Sequence, residues 1–191
     1  SEETISFVKN VFTDCGQNYL PYSLSLDSKQ LLFADSTIAF SSNTESSGGL
    51  KLQQSEEINI TNSTFMKCSL MEQTFVNDRQ NLRGAAVNIK GDFSPIIWIQ
   101  RCKFENNAAF DGHAMSIECK SDASSVTIDS NEFIDNYNHN RLGTLSATIT
   151  TSIRELAKKI VSPANTFTQI VNLVEVPAVM EINPDGSPLF S

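Results

Sequence analysis

Apolar and polar residues alternate along this chain in short bursts, and the bursts repeat. Ile97 and Ile99 flank Trp98, and Phe104 follows Ile97 by seven positions. The same step recurs at Val126, Ile128 and Phe133, at Ile58, Ile60 and Phe65, and at Ile5, Phe7 and Phe12. The residue two before each Phe is small or an amide: Asn10, Ser63, Cys102 and Asn131. Alternation over three to five positions is the period of a strand, whose successive side chains point to opposite faces. No long 3.6-residue stripe runs through these segments, so helical repeats are excluded.

A second half-unit recurs as well. Gly84-Ala85-Ala86-Val87-Asn88-Ile89 matches Gly112-His113-Ala114-Met115-Ser116-Ile117, with looser copies at Gly48-Gly49-Leu50-Lys51-Leu52 and Gly143-Thr144-Leu145. Twenty-nine residues separate Phe104 from Phe133. Phe65 and Phe104 lie thirty-nine apart, the same period once "SLMEQTFVND" is set aside as a loop insertion. Self-similarity at that spacing marks a stacked repeat protein.

β-Branched and aromatic residues fill the bursts, and Asn, Asp, Ser and Gly fill the joints. A coil of about 22 to 30 residues cannot bury its inward side chains alone. Stacking coils at the strand spacing of about 4.8 Å sets each Phe over the next and builds one continuous core. The fold expected is therefore all-β, a parallel β-helix over residues 1–150. Phe12, Phe65, Phe104 and Phe133 form its inward stack, with Asn107, Asn136, Gly84 and Gly112 at its turns.

The paired motifs, Phe104-Glu105-Asn106-Asn107 and Phe133-Ile134-Asp135-Asn136 with the Gly-Gly-Ala-(Ile/Leu/Val)-like turns, resemble the repeats of polymorphic outer-membrane proteins and similar surface proteins. The resemblance covers about residues 5 to 149. It implies a right-handed, pectin-lyase-like parallel β-helix and a role in adhesion. The chain departs from the pattern where Ala85, His113 and Thr144 replace the second Gly, and where Cys15 and Cys68 replace the Asn.

Net charge is −8 and no Lys/Arg cluster occurs, which argues against a nucleic-acid partner. No apolar run is long enough to span a bilayer, so direct membrane insertion by this segment is not expected. "QIVNLVEVPAVMEI" comes nearest, but it contains Asn172, Glu175, Pro177 and Glu181. The chain opens directly on a repeat with no signal-peptide pattern, so it is expected to be a fragment or a processed product.

Four cysteines without a C-x-x-C pair indicate neither a disulfide scaffold nor zinc. Cys15 and Cys68 share a column, but a coil around residues 31–54 between them places them about 10 Å apart, beyond disulfide reach. Cys102 and Cys119 lie in one coil and bridge only if the turns bring them together. The expected state is mostly free thiols serving as small core residues.

Two overlapping sequons, Asn59-Ile60-Thr61 and Asn62-Ser63-Thr64, make Asn59 and Asn62 glycosylation candidates in a secreted eukaryotic protein. An Asn/Ser/Thr-rich repeat also generates sequons by chance. Asn59 should point outward between the inward Ile58 and Ile60.

Catalysis on a β-helix of the pectin-degrading kind needs clustered carboxylates, as acid and base or as Ca²⁺ ligands, with a basic residue nearby. Asp111, His113, Asp129, Asp135, Arg101 and Arg141 are the residues available. His113, however, fills the structural slot of Ala85, and His139 lies in the Asn-rich "DNYNHNR" without a partner fixed by spacing. Asp and Asn at turns need no metal to explain them. The expectation is no catalytic residue, no metal and no cofactor.

Residues 151–191 leave the pattern but are expected to pack on the same domain. Ser152-Ile153-Arg154-Glu155 matches a capping box, and Ile153, Leu156, Ala157 and Ile160 fall on one face, predicting a short α-helix over 152–160. The rival is a decayed coil, since Ile160 and Phe167 keep the seven-residue step. "TFTQIVNLVEV" reads as strand ahead of a Pro-containing tail.

The function these features favour is a non-enzymatic structural or adhesive module of a larger extracellular or cell-surface protein or assembly. The alternative is a polysaccharide-binding or polysaccharide-cleaving β-helix. With no amphipathic segment ahead of the first strand, the N-terminal end is expected to expose inward apolar side chains and a strand edge. Further coils of the chain or another protein chain would meet it there.

Overall fold

A run such as Glu57-Ile58-Asn59-Ile60-Thr61 can bury Ile58 and Ile60 only from one side, so each strand needs neighbours that repeat its pattern. The computed structural model supplies them. It describes residues 3–13, 24–43, 48–53, 55–70, 84–91, 95–109, 113–119, 125–138, 148–153, 164–168 and 178–182.

The chain passes through four sheets in rotation. A first circuit contains β1 (Thr4–Val8), β2 (Val11–Thr13) and β3 (Leu24–Asp27). The second contains β4 (Gln30–Ala34), β5 (Thr37–Ala39), β6 (Ser42–Asn43) and β7 (Leu50–Gln53). The third runs β8 (Glu57–Thr61), β9 (Thr64–Met66), β10 (Ser69–Leu70) and β11 (Val87–Lys90). The fourth runs β12 (Ile96–Gln100), β13 (Lys103–Glu105), β14 (Ala108–Ala109) and β15 (Met115–Glu118). A fifth follows with β16 (Ser125–Asp129), β17 (Glu132–Ile134), β18 (Tyr137–Asn138) and β19 (Ile149–Thr151), and then come β20 (Thr166–Thr168) and β21 (Val179–Glu181).

The first sheet is β1-β4-β8-β12-β16 and the second β2-β5-β9-β13-β17-β20. The third is β6-β10-β14-β18 and the fourth β3-β7-β11-β15-β19-β21. Adjacent strands in the first sheet pair parallel and in register, with Ile58 beside Leu31 and Ile97, and Ile97 beside Val126. The protein is thus all-β with parallel sheets, and no described residue is helical.

Inward side chains form columns. In the first sheet Phe33, Ile60 and Ile99 are fully buried and register-matched. In the fourth, Leu50, Val87, Met115 and Ile149 do the same. In the second sheet Phe65, Phe104, Phe133 and Phe167 stack with centroids 5.1, 4.9 and 4.7 Å apart and rings within 6° of parallel. The ring spacing is close to the strand spacing of about 4.8 Å, so each Phe packs face to face on the next. Such pairs add about 0.5–1.5 kcal/mol to simple burial.

The stack differs from expectation at its start. Ile38, not a Phe, pairs with both Phe12 and Phe65. Phe33 from the first sheet fills the space, 6.3 Å from Phe12 and 5.7 Å from Phe65. Leu31, Phe33 and Ile38 keep the apolar spacing of the repeat with Ile in the Phe position, which is why a search keyed on Phe passes over this circuit.

The loose copy at Gly143-Thr144-Leu145 lies outside the described residues. The strand that pairs with β15 is instead Ile149–Thr151. Of the helix predicted over 152–160, residues 154–160 also lie outside those described, but Ser152 and Ile153 form a bend. The Ser152 hydroxyl, expected to cap that helix, accepts the Cys119 N–H at 3.0 Å and donates to Cys119 O at 2.9 Å. Thr166–Thr168, within the segment expected to be strand, continues the second sheet, and Val179–Glu181 continues the fourth.

Candidate interaction surface

Two columns of single residues turn the chain between sheets, and all adopt left-handed backbone. Lys9, Asp35, Asn62, Arg101 and Ser130 leave the first sheet with φ between 48° and 59°. Phe40, Lys67, Asn106 and Asp135 leave the second with φ between 48° and 54°. For non-glycine residues this conformation costs about 1–2 kcal/mol each. What offsets it is the ladder that immediately follows each turn.

After the first turn stand Asn10, Ser36, Ser63, Cys102, Asn131 and Asn165. Asn10 N–H donates to Ser36 Oγ at 3.0 Å, and Ser36 N–H donates to Ser63 Oγ at 3.2 Å. Cys102 N–H donates to Asn131 Oδ1 at 2.9 Å, and Asn131 N–H to Asn165 Oδ1 at 3.0 Å. Asn131 and Asn165 also reach back one circuit with their amides: Asn131 Nδ2 donates to Ile99 O at 2.9 Å and Asn165 Nδ2 to Ile128 O at 2.8 Å.

The second turn is followed by Cys68, Asn107 and Asn136. Cys68 N–H donates to Asn107 Oδ1 at 3.0 Å, while Asn107 Nδ2 donates to Phe65 O and Asn136 Nδ2 to Phe104 O. Buried turns would otherwise strand a backbone N–H and a carbonyl on every circuit. Asn107 and Asn136 therefore sit where the repeat predicts. The Asn165–Phe167 pair, spaced like Asn131 and Phe133, was the signal that could have extended the column.

Cys68, Cys102 and Cys119 are buried thiols outside any disulfide, as expected; Cys15 lies outside the described residues. Burial pushes the Cys102 thiol up to about 11, only partly opposed by hydrogen bonds at Ser63 and Gln100 and by Arg101. Burial, with the nearby Glu118 charge, pushes Cys119 up to about 12. Neither thiol is a nucleophile at neutral pH.

Of the residues considered for catalysis, His113, Arg101, Asp129 and Asp135 are among the described ones. Asp111, Gly112, His139 and Arg141 lie outside the described residues. His113 is fully buried, two residues before Met115 as Ala85 is two before Val87, its register partner. Arg101 Nε donates to Asn62 Oδ1 at 2.7 Å, and Asp129 accepts from the Ser130 hydroxyl at 3.0 Å. Among the described residues no three His, Cys, Asp or Glu side chains gather as metal ligands do. Gly84 holds a positive φ of 69°, which explains the glycine at that turn.

The outer faces differ between sheets. On the fourth, Asn88, Ser116 and Thr150 point away from the core yet are buried, with Thr150 Oγ1 donating to Ser116 Oγ at 3.2 Å. On the first, Asn59, Trp98 and Thr127 lie side by side and half-buried. Asn59 points outward as expected, but its Oδ1 is enclosed and accepts no hydrogen bond. Asn62 is exposed at the turn.

The first circuit is apolar where later circuits are not. Val8 is 45% and Val11 72% exposed. In register with Val8 come Ala34, Thr61, Gln100 and Asp129. In register with Val11 come Thr37, Thr64, Lys103, Glu132 and Thr166. Ile5, Phe7 and Phe12 are only partly buried, and β1, β2 and β3 are the edge strands of their sheets among the described residues.

Compared with known families, curated proteins and solved structures, the chain matches no family model, no curated sequence and no solved structure.

Proposed function

We propose that the chain is a right-handed parallel β-helix acting as a non-enzymatic structural or adhesive module at a cell surface or in an extracellular assembly. The observation that carries the reading is the rotation of successive strands through four parallel sheets, register kept in every pairing. Parallel crossover connections within a sheet are right-handed in nearly all cases, which supports the right hand. The recurring Phe-x-x-Asn turns, the resemblance they bear to surface repeats, and the apolar edge of the first circuit support a contact role. Asn62 is the more accessible of the two glycan acceptors.

Microspheres coated with the chain should adhere to protein-coated surfaces, and a panel of polysaccharides should survive incubation intact. Adhesion to carbohydrate-coated surfaces alone would favour the polysaccharide-binding alternative. Polysaccharide cleavage that disappears in His113→Ala, with the fold retained, would overturn the non-enzymatic reading.

A further inference from the structure

The two sequons place acceptor amides three residues apart, and the fold treats them oppositely. Asn59 is the middle residue of β8, which is paired on both sides, and its neighbours across the strands are Leu32 and Trp98. All three side chains are half-buried, and Asn59 Oδ1 is enclosed. Asn62 stands one residue beyond β8, in the turn column between the first and second sheets. Lys9, Asp35, Asn62, Arg101 and Ser130, which make up that column, are all exposed. Asn62 Oδ1 accepts the Arg101 Nε–H at 2.7 Å, and the left-handed backbone there, at φ 48°, is one that Asn tolerates.

We propose that Asn62 carries an N-linked glycan in the exported chain and that Asn59 does not. The inference deepens the extracellular reading above and rests on it. Transfer from a lipid-pyrophosphate-linked oligosaccharide forms a bond from Nδ2 to the sugar C1 and breaks the bond from C1 to the pyrophosphate oxygen. One amide proton passes to a base of the transferase, and the lipid pyrophosphate leaves. The product is a secondary amide, which holds its two carbon substituents trans as a peptide bond does, so C1 lies on the same side as Oδ1. On Asn59 that side is already enclosed, and a sugar ring there has to displace its neighbours on the sheet. Asn62 is exposed, and because its Oδ1 remains an acceptor after transfer, the Arg101 bond survives the modification. Transfer itself precedes folding. In the folded chain Ser63, between Asn62 and the Thr64 of its sequon, is buried, its hydroxyl donating to Thr61 O at 2.7 Å and accepting the Ser36 N–H at 3.2 Å. Thr64 is held in β9 between β5 and β13. The glycan must therefore be one that the finished fold accommodates, and Asn62 meets that condition.

The full chain is directed into the secretory pathway of a eukaryotic cell line, purified from the medium and treated with a peptide N-glycosidase in heavy-oxygen water, which leaves a labelled Asp at each glycosylated Asn. Mass spectrometry should find at least tenfold more label at Asn62 than at Asn59. Thr64→Ala, which deletes only the Asn62 sequon, should abolish the mass loss on deglycosylation. Asn62→Asp should do the same while keeping an acceptor for Arg101 and a residue suited to the left-handed turn, so a folding defect in the first variant cannot decide the outcome. Thr61→Ala deletes only the Asn59 sequon and installs the residue that Ala34 supplies in the same column, and it should leave the glycan in place. Label mainly on Asn59 overturns the proposal. So does a secreted, folded chain bare at both acceptors, or a secreted, folded Thr64→Ala carrying sugar at Asn59. Adhesion of coated microspheres is read separately: a chain bare at both acceptors that still adheres sinks this inference alone, whereas a glycosylated Asn62 without adhesion sinks the contact function and leaves this inference standing.

Discussion

Asn107 and Asn136 join adjacent circuits side chain to side chain. Asn107 Nδ2 donates to Asn136 Oδ1 at 2.9 Å, and the same oxygen accepts the Asn107 backbone N–H at 3.1 Å. Both residues are essentially fully buried. A buried amide in this position accepts the N–H that follows the turn, completing the inter-circuit hydrogen bonds that Lys67 N–H makes to Glu105 O and Asn106 N–H to Ile134 O.

Replacing Asn107 by Ala strands the buried Cys68 N–H. That loss alone should cost about 1–3 kcal/mol. Urea unfolding of the variant checks it, and a midpoint equal to that of the unaltered chain would falsify the ladder's energetic role.

Phe104→Ala should cost about 3–5 kcal/mol, because its ring is packed between Phe65 and Phe133 and the cavity cannot collapse without shifting both. Ile38→Phe would complete the column in sequence, yet Phe33 already occupies that space. A loss of about 1–3 kcal/mol from overpacking is expected, and a gain in stability would show that the Phe33 position is adaptable.

Cys102 stands in the column of Asn131, its thiol shared between Gln100 O at 3.3 Å and Ile60 O at 3.5 Å. An Asn there can repeat the bonds of Asn131, with Nδ2 on Ile60 O. Cys102→Asn is therefore expected to stabilise by about 0.5–1.5 kcal/mol. A lowered denaturation midpoint would mean that the amide is too large for the site.

The thiols also set a pH limit. The ordinary value is 9.0, while folding raises Cys102 to about 11 and Cys119 to about 12. Below pH 9 both states hold the proton and these groups contribute no pH dependence. Above pH 9 the unfolded chain releases it first, so stability falls as pH rises through this window. The double variant Cys102→Ser, Cys119→Ser should show a shallower decline. At pH 8 neither thiol should react with a disulfide reagent until the chain is unfolded.

Phe40 is a bulky exposed residue at φ 54°, with Lys67 Nζ 4.7 Å from its ring centroid. Asn tolerates that backbone far better. Phe40→Asn should gain about 1 kcal/mol, the relief of left-handed strain exceeding the loss of an exposed cation–π contact. Thermal unfolding decides the sign.

The sequence by itself determined the strand class, the repeat and most inward columns. An apolar residue at every second position can be buried only by a sheet, and one recurring circuit after circuit can be buried only by its own copies. Phe65, Phe104, Phe133, Asn107 and Asn136 were legible for that reason. Only the tertiary structure decided that Phe33 serves the column where Ile38 interrupts it, because two inward columns share one interior and volume can be supplied from either. It also decided that the Ser152 hydroxyl goes to Cys119. A capping box is a local pattern, and a backbone N–H one circuit away competes for the same oxygen. Distance along the chain hides such competition, since neighbours across circuits are about thirty residues apart in sequence and one strand spacing, about 4.8 Å, apart in space.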